Sequence, residues 1–271
     1  MALIIKEKSG SFNNYFEFLE LPILKLEDTG SSRLSINKIL IPRGEIISIE
    51  SSLEDVSWIH ILTGKGKFSG QEVSDKNICF IPQNNSEIFE AIENTMLLKC
   101  SVNDFRRFEK IDHEPNTDIK IINWQNEPVL RSEHDFRERI YVGTKNLWDT
   151  NAIKGEIILY PPNTKAPAHH HEGAEHFQYI MSGEGTAFIN NKEVTLRAGD
   201  LVYNFENEIH WFENRTMGSF SFVEFFVPGE CKTIWASDEK VCTWLPTNKD
   251  FNGKTPVRTI QKHIHGAKID I

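Results

Sequence analysis

The fold is decided by the stretch Ala166-Pro167-Ala168-His169-His170-His171-Glu172-Gly173-Ala174-Glu175-His176-Phe177-Gln178-Tyr179-Ile180-Met181-Ser182-Gly183-Glu184-Gly185. Its second half is a run of strand formers closed by a Gly-x-Gly turn. Its first half is rich in imidazoles, the commonest neutral protein ligands for divalent metals. In an extended chain alternate residues face one side. His169 and His171 therefore aim together and His170 points away. A further histidine follows in His210-Trp211-Phe212-Glu213-Asn214, so five of the ten histidines fall in one β-rich stretch.

Working outward, the same pattern occurs twice. Ile59-His60-Ile61-Leu62-Thr63-Gly64-Lys65-Gly66-Lys67-Phe68 parallels Gln178 to Phe188, and both lie about 119 residues apart. Asn77 to Pro82 parallels Asp200 to Phe205, and Glu93-Asn94-Thr95 parallels Glu213 to Thr216. Both copies end in apolar strands, Met96 to Cys100 and Ser219 to Val227. The chain thus reads as two copies of one β-domain. Short strands divided by Gly, Pro and Asn turns predict an all-β sandwich or barrel. The polar segment His113 to Asp118, which contains Pro115, is the linker candidate. The expected domains are residues 1–115 and 116–271. A short helix is expected over Val102 to Phe108. The tail after Pro228, with Trp235 and Trp244, is expected to pack across a barrel or reach a partner copy.

Composition narrows the function classes. The 271 residues carry a net charge of −9 and no Lys/Arg block, which argues against nucleic-acid binding. No segment approaches the roughly 20 apolar residues of a membrane span, and the N-terminus has no signal-peptide pattern, so a cytoplasmic protein is expected. Cys79, Cys100, Cys231 and Cys242 form no Cys-x-x-Cys pair and read as reduced thiols, Cys79 and Cys100 as core residues.

These residues resemble the cupin superfamily. Its first motif is a His-x-His pair, a spaced Glu and a Tyr-Val-Leu-x-Gly-like strand ending. Here it is matched by His169-x-His171 and His176-Phe177-Gln178-Tyr179-Ile180-Met181-Ser182-Gly183. The second motif is matched by Gly199-Asp200 leading to His210-Trp211-Phe212-Glu213-Asn214. The match spans about residues 150 to 228. With the degenerate copy near 35 to 102 it implies a bicupin: two tandem jelly-roll barrels, the first without metal ligands. Counting back from Tyr179 reaches His176 where the family has Glu, and Glu175 has the opposite strand parity. The expected metal ligands are His169, His171, His176 and His210. Alternatives are His170 with Glu172, or Glu175 in place of His176. The phrase Glu175-His176-x-x-Tyr179 also resembles the manganese-binding (S)-ureidoglycine aminohydrolase bicupins.

The remaining candidates divide by parity. Gln178 shares the face of His176 and is the candidate catalytic or substrate-contacting residue, with a hydrogen-bonded core position as the alternative. Tyr203 and Phe205 are assigned to core packing, and Trp211 to the face away from His210. Arg137 and Arg139 are assigned to surface ion pairs, with a grip on a substrate carboxylate as the alternative. His263 and His265 are assigned to a surface strand, and His113 and His134 to exposed positions. The resemblance implies one divalent transition metal (Fe, Mn, Ni or Zn) and an enzyme acting on a small polar or carboxylate-bearing molecule. Within that class, the carboxylate-poor ligand set favours an Fe(II)-dependent dioxygenase. The alternatives are a Mn-dependent hydrolase or isomerase, or a non-catalytic small-ligand-binding bicupin. Jelly-roll strand edges pair between chains, so a homodimer is expected.

Overall fold

A computed structural model describes residues 1–7, 18–110, 117–190, 192–236 and 239–265. Residues 113–116 of the linker candidate, His113 among them, lie outside this set. The chain forms two compact units, both antiparallel β-structures. One comprises Ser9–Trp124 and Leu147–Ala152, the other Met1–Lys8, Gln125–Asn146 and Ile153–Ile271. No helix of the described residues is long and apolar enough to cross a membrane.

The two units repeat one strand order. In the first, the larger sheet runs Lys120–Asn123, Asn77–Ile81, Val56–Thr63, Thr95–Val102, Leu34–Ile41, Leu19–Leu24. Its companion sheet runs Ile46–Ser51, Asn85–Ala91, Lys65–Phe68, Gln71–Ser74. In the second, the larger sheet starts Leu3–Ile5, Leu201–Asn204, Glu175–Ser182, Phe220–Val227, Lys154–Tyr160, Glu138–Gly143. It then continues through Leu130–Ser132, Thr243–Pro246 and His263–Ile264. Its companion runs Lys192–Arg197, Glu184–Ile189, His210–Asn214, His169–Glu172, Lys232–Trp235. Each unit is therefore a jelly-roll barrel, and the second is extended by tail strands. The expected helix at Val102 to Phe108 is a single 3-10 turn, Phe105–Phe108.

The repeated Gly-x-Gly turns have a steric cause. Gly183 has φ +77°, and a Cβ there would lie 2.1 Å from the Ser219 carbonyl oxygen. Gly64 repeats this with φ +85° and 2.3 Å to the Asn94 carbonyl oxygen. Only glycine tolerates both the left-handed backbone and the close approach.

The two interiors differ in kind. The first barrel is filled by apolar side chains from both sheets, including Ile39, Ile49, Ile59, Phe68, Cys79 and Phe89. The second is apolar at one end, around Ile158, Ile180, Phe212, Phe220 and Phe222. Elsewhere its inner face carries polar rungs. Residues opposite one another on antiparallel strands share a face. Gln178 lies opposite Glu224, Glu224 opposite Glu156, and Glu156 opposite Tyr141. One rung away, His176 lies opposite Asn204 and Phe226, and Phe226 opposite Lys154.

Candidate metal centre

Antiparallel pairing sets His169 directly opposite His210. Alternation along the strand His169–Glu172 turns His171 the same way. One ligand atom from each of His169, His171 and His210 lies within 4.8 Å of the others. His176 enters from the larger sheet, its Nε2 3.2 Å from His210 Nε2. Two nitrogens at roughly 2.0–2.1 Å from one ion and about 90–110° apart are separated by about 2.8–3.4 Å. The His176–His210 spacing therefore fits two ligands of one ion.

The outer nitrogens of three of these rings are tied back. His169 Nδ1 donates to the Pro167 carbonyl at 2.8 Å, and His210 Nδ1 to the Glu208 carbonyl at 2.8 Å. Thr233 Oγ1 lies 3.2 Å from His171 Nδ1. A carbonyl only accepts, so Nε2 of His169 and of His210 is bare and free to ligate. Burial, and next the neighbouring imidazoles, push His169, His171 and His176 well below the ordinary histidine range. Burial pushes His210 down to about 4. All four stand in the neutral form a metal requires. The cluster suits one divalent transition metal.

The competing ligand sets are placed elsewhere. Glu175 Oε2 accepts a 2.5 Å hydrogen bond from the Tyr203 hydroxyl. His170 shares its rung with the exposed Ile234, and its Nε2 lies 4.0 Å from Glu172. Gln178 is fully buried behind the cluster. It donates to Glu224 and accepts from Asn204 Nδ2 at 2.8 Å. Glu224, not Gln178, reaches the cavity, and its Oε1 lies 3.5 Å from His176 Nε2. Burial, then the adjacent Glu156, raise the Glu224 carboxyl well above the usual carboxylate range.

Beside the imidazoles lies a cavity of about 30 Å³, with Arg137, Arg139, Glu224, Trp235 and His265 also on its walls. Two expectations are overturned here. Arg137 and Arg139 are 6% and 3% exposed, not surface residues. Interior parity on Glu138–Gly143 carries Arg139 inward beside Tyr141. Arg139 pairs with Glu156 (Nη2 to Oε1, 3.1 Å) and Arg137 with Asp135 (2.9 Å). The Nε of each is buried without a hydrogen-bond partner among the described residues. His263 and His265 are likewise not on a surface strand. His263 is buried, and His265 lines the cavity. His134 is exposed, as expected. Glu224 was detectable as the one charge in the apolar strand Phe220–Val227, at the parity of Phe222 and Phe226.

Comparisons agree with this architecture. Residues 156–226 match the model of the Cupin domain. A single-residue variant of Bacillus subtilis oxalate decarboxylase superposes with TM-score 0.65 at 12% identity, covering 87% of this chain and 79% of that one. The same enzyme at pH 4.6 gives 0.61 at 13% identity, covering 80% and 73%. These structures show a shared two-barrel fold. A Thermotoga maritima oxalate-binding protein is 39% identical over 54 residues, which is 20% of this chain and 45% of that protein. The matched stretch thus spans under half of that relative's length.

Proposed function

Because residues 156–226 are a cupin domain within a two-barrel cupin fold, we propose that this chain is a divalent-metal-dependent enzyme acting on a small carboxylate-bearing molecule. The carrying observation is the convergence of the His169, His171 and His210 imidazoles on a tight cavity walled by two buried guanidiniums, with His176 Nε2 3.2 Å from His210 Nε2. His169, His171 and His210 would hold the ion, with His176 as fourth ligand. Once bound, the ion would supply Lewis-acid chemistry. Arg137 and Arg139 attract the substrate carboxylate, since their unpartnered N–H groups await an acceptor. The apolar wall of Phe212, Phe222 and Phe226 excludes water and strengthens that attraction. Glu224, held by the Gln178 amide, places a carboxyl beside the cluster.

Within this class the carboxylate-free imidazole set supports Fe(II)-dependent dioxygenase chemistry. A second reading is redox-neutral chemistry on a Mn(II) site. It is supported by the Glu224 carboxyl on the cavity wall beside His176 and by the fold shared with Bacillus subtilis oxalate decarboxylase, whose centres are Mn(II). The relative that binds oxalate adds a small dicarboxylate to the ligands to be tried.

The test is metal content by mass spectrometry on tag-free protein beside a His169→Ala/His210→Ala variant. Roughly one ion per chain is expected, and its loss in the variant. Substrate-dependent O₂ uptake by the Fe-loaded protein then separates the two chemistries. If neither protein takes up metal after anaerobic loading with Fe or Mn, the proposal is wrong and a metal-free binding role replaces it.

A further inference from the structure

The C-terminal tail contributes to the cavity through a residue that no metal-site pattern predicts. His263–Ile264 pairs with Thr243–Pro246, which extends the larger sheet beside Leu130–Ser132. This delivers His265 to the cavity wall, its ring 6.1 Å from that of His169 and 5.3 Å from that of Trp235. His265 Nδ1 lies 2.7 Å from Arg139 Nη2 and 3.2 Å from Trp244 Nε1. A guanidinium and an indole N–H can only donate. Nδ1 therefore accepts from both and is bare, and the proton of the neutral ring sits on Nε2. With one nitrogen engaged and the other protonated, His265 is not disposed as a metal ligand.

A second latch holds the same segment. Arg139 Nη1 donates to the Tyr141 hydroxyl at 3.1 Å, and that hydroxyl meets His263 Nε2 at 3.0 Å. His263 Nδ1 donates to the Gln261 carbonyl at 2.9 Å, which leaves Nε2 as the acceptor from Tyr141. The two tail imidazoles thus stand in opposite tautomers, His265 set by Arg139 and Trp244 and His263 by the Gln261 carbonyl.

We infer that His265 is a substrate-contacting residue, whose Nε2–H donates to a carboxylate oxygen of the ligand in the cavity, with Arg139 and Trp244 setting its tautomer. The inference deepens the carboxylate reading above and rests on it. It also makes the tail part of the site: a chain ending before His263 would keep all four candidate metal ligands and lose a substrate contact.

The experiment is calorimetric titration of oxalate into Mn(II)-loaded and metal-free protein, for the unaltered chain, His265→Phe and His265→Gln. Phenylalanine keeps the ring contact with Trp235 and removes both nitrogens. Glutamine returns an acceptor for Arg139 and a donor for the ligand. We expect His265→Phe to weaken oxalate roughly ten- to a hundredfold and His265→Gln to recover most of the loss. Mn(II) content should be equal in all three. Histidine-labelled ¹⁵N spectra should show His265 protonated at Nε2. Oxalate that binds neither form of the unaltered chain, binds His265→Phe as tightly, or leaves the metal dependent on His265 overturns the inference, as does a proton on Nδ1. An unaltered chain that takes up no metal overturns the metal reading instead, and the metal-free titration still decides for His265.

Discussion

Three of the four candidate ligands are held by the nitrogen that faces away from the cluster, so the partners of that nitrogen set how well each can bind. His169 and His210 are tied to backbone carbonyls, which no substitution removes. His171 is tied to a side chain, Thr233 Oγ1 at 3.2 Å. Thr233→Val keeps the shape and removes the acceptor; metal affinity should fall about tenfold with the fold intact, read by competition with a chelating dye. Away from the centre, His60 tests burial alone. It is 1% exposed, and its Nδ1 has no hydrogen-bond partner among the described residues. Burial lowers its pKa from 6.5 to about 4. The folded state refuses a proton that the unfolded chain accepts, so stability is full above pH 6.5 and is lost as pH falls toward 4. Urea unfolding at pH 7.5 and 4.5 should show the unaltered chain losing about 2–3 kcal/mol more than His60→Leu. An equal loss in both would show that His60 takes up its proton freely. At this scale, strand parity makes His169, His171, His176 and the inward turn of Gln178 legible, because a period of two is a property of the local chain. The place of His265, and with it the tail contact that helps bury Arg139, is not legible. It depends on the pairing of Leu130–Ser132 with Thr243–Pro246, strands more than a hundred residues apart.

Among elements, the hairpins are the most readable, because their cause is contained in a few residues. The Gly-x-Gly turns at Gly64 and Gly183 mark both barrels, since each first glycine combines positive φ with a neighbouring carbonyl inside the reach of any Cβ. Gly183→Ala should cost about 3 kcal/mol or more, lowering the thermal midpoint of the second barrel. Gly253→Ala serves as the control. It has φ +78°, but a Cβ added there would meet no atom within 4 Å, so the change should cost only about 1 kcal/mol. Similar losses at both sites would assign the whole effect to backbone strain. The tail strands are a contrary case. Lys232–Trp235, Thr243–Pro246 and His263–Ile264 are four, four and two residues long. Segments so short carry little periodicity, and what makes them strands is the sheet edge they meet.

For the molecule as a whole, the repeat predicts that the barrels share one strand order, and the edges show where they diverge. In the first barrel the strand beside Asn77–Ile81 is Lys120–Asn123, which follows the barrel in sequence. In the second, the equivalent edge at Leu201–Asn204 is taken by Leu3–Ile5, from the opposite end of the chain. Neither composition nor spacing announces this, because a three-residue strand has no pattern of its own. The strand matters to the second barrel. Ala2 and Ile4 pack against its apolar core, Lys6 Nζ lies 2.9 Å from Asp200 Oδ2, and the Glu7 amide donates to Asp200 Oδ1 at 2.9 Å. Asp200 in turn accepts from the Arg197 amide at the turn leading into Leu201–Asn204, the strand that sets Asn204 beside His176. Deleting residues 1–7 should therefore destabilise the second barrel by about 2–4 kcal/mol through lost apolar burial and an uncovered strand edge. Hydrogen exchange should show the amides of Leu201–Asn204 exposed, while those of Val56–Thr63 keep their protection. The same deletion should weaken metal binding although it removes no ligand. Unchanged exchange at Leu201–Asn204 would mean that the barrel closes without the N-terminal strand.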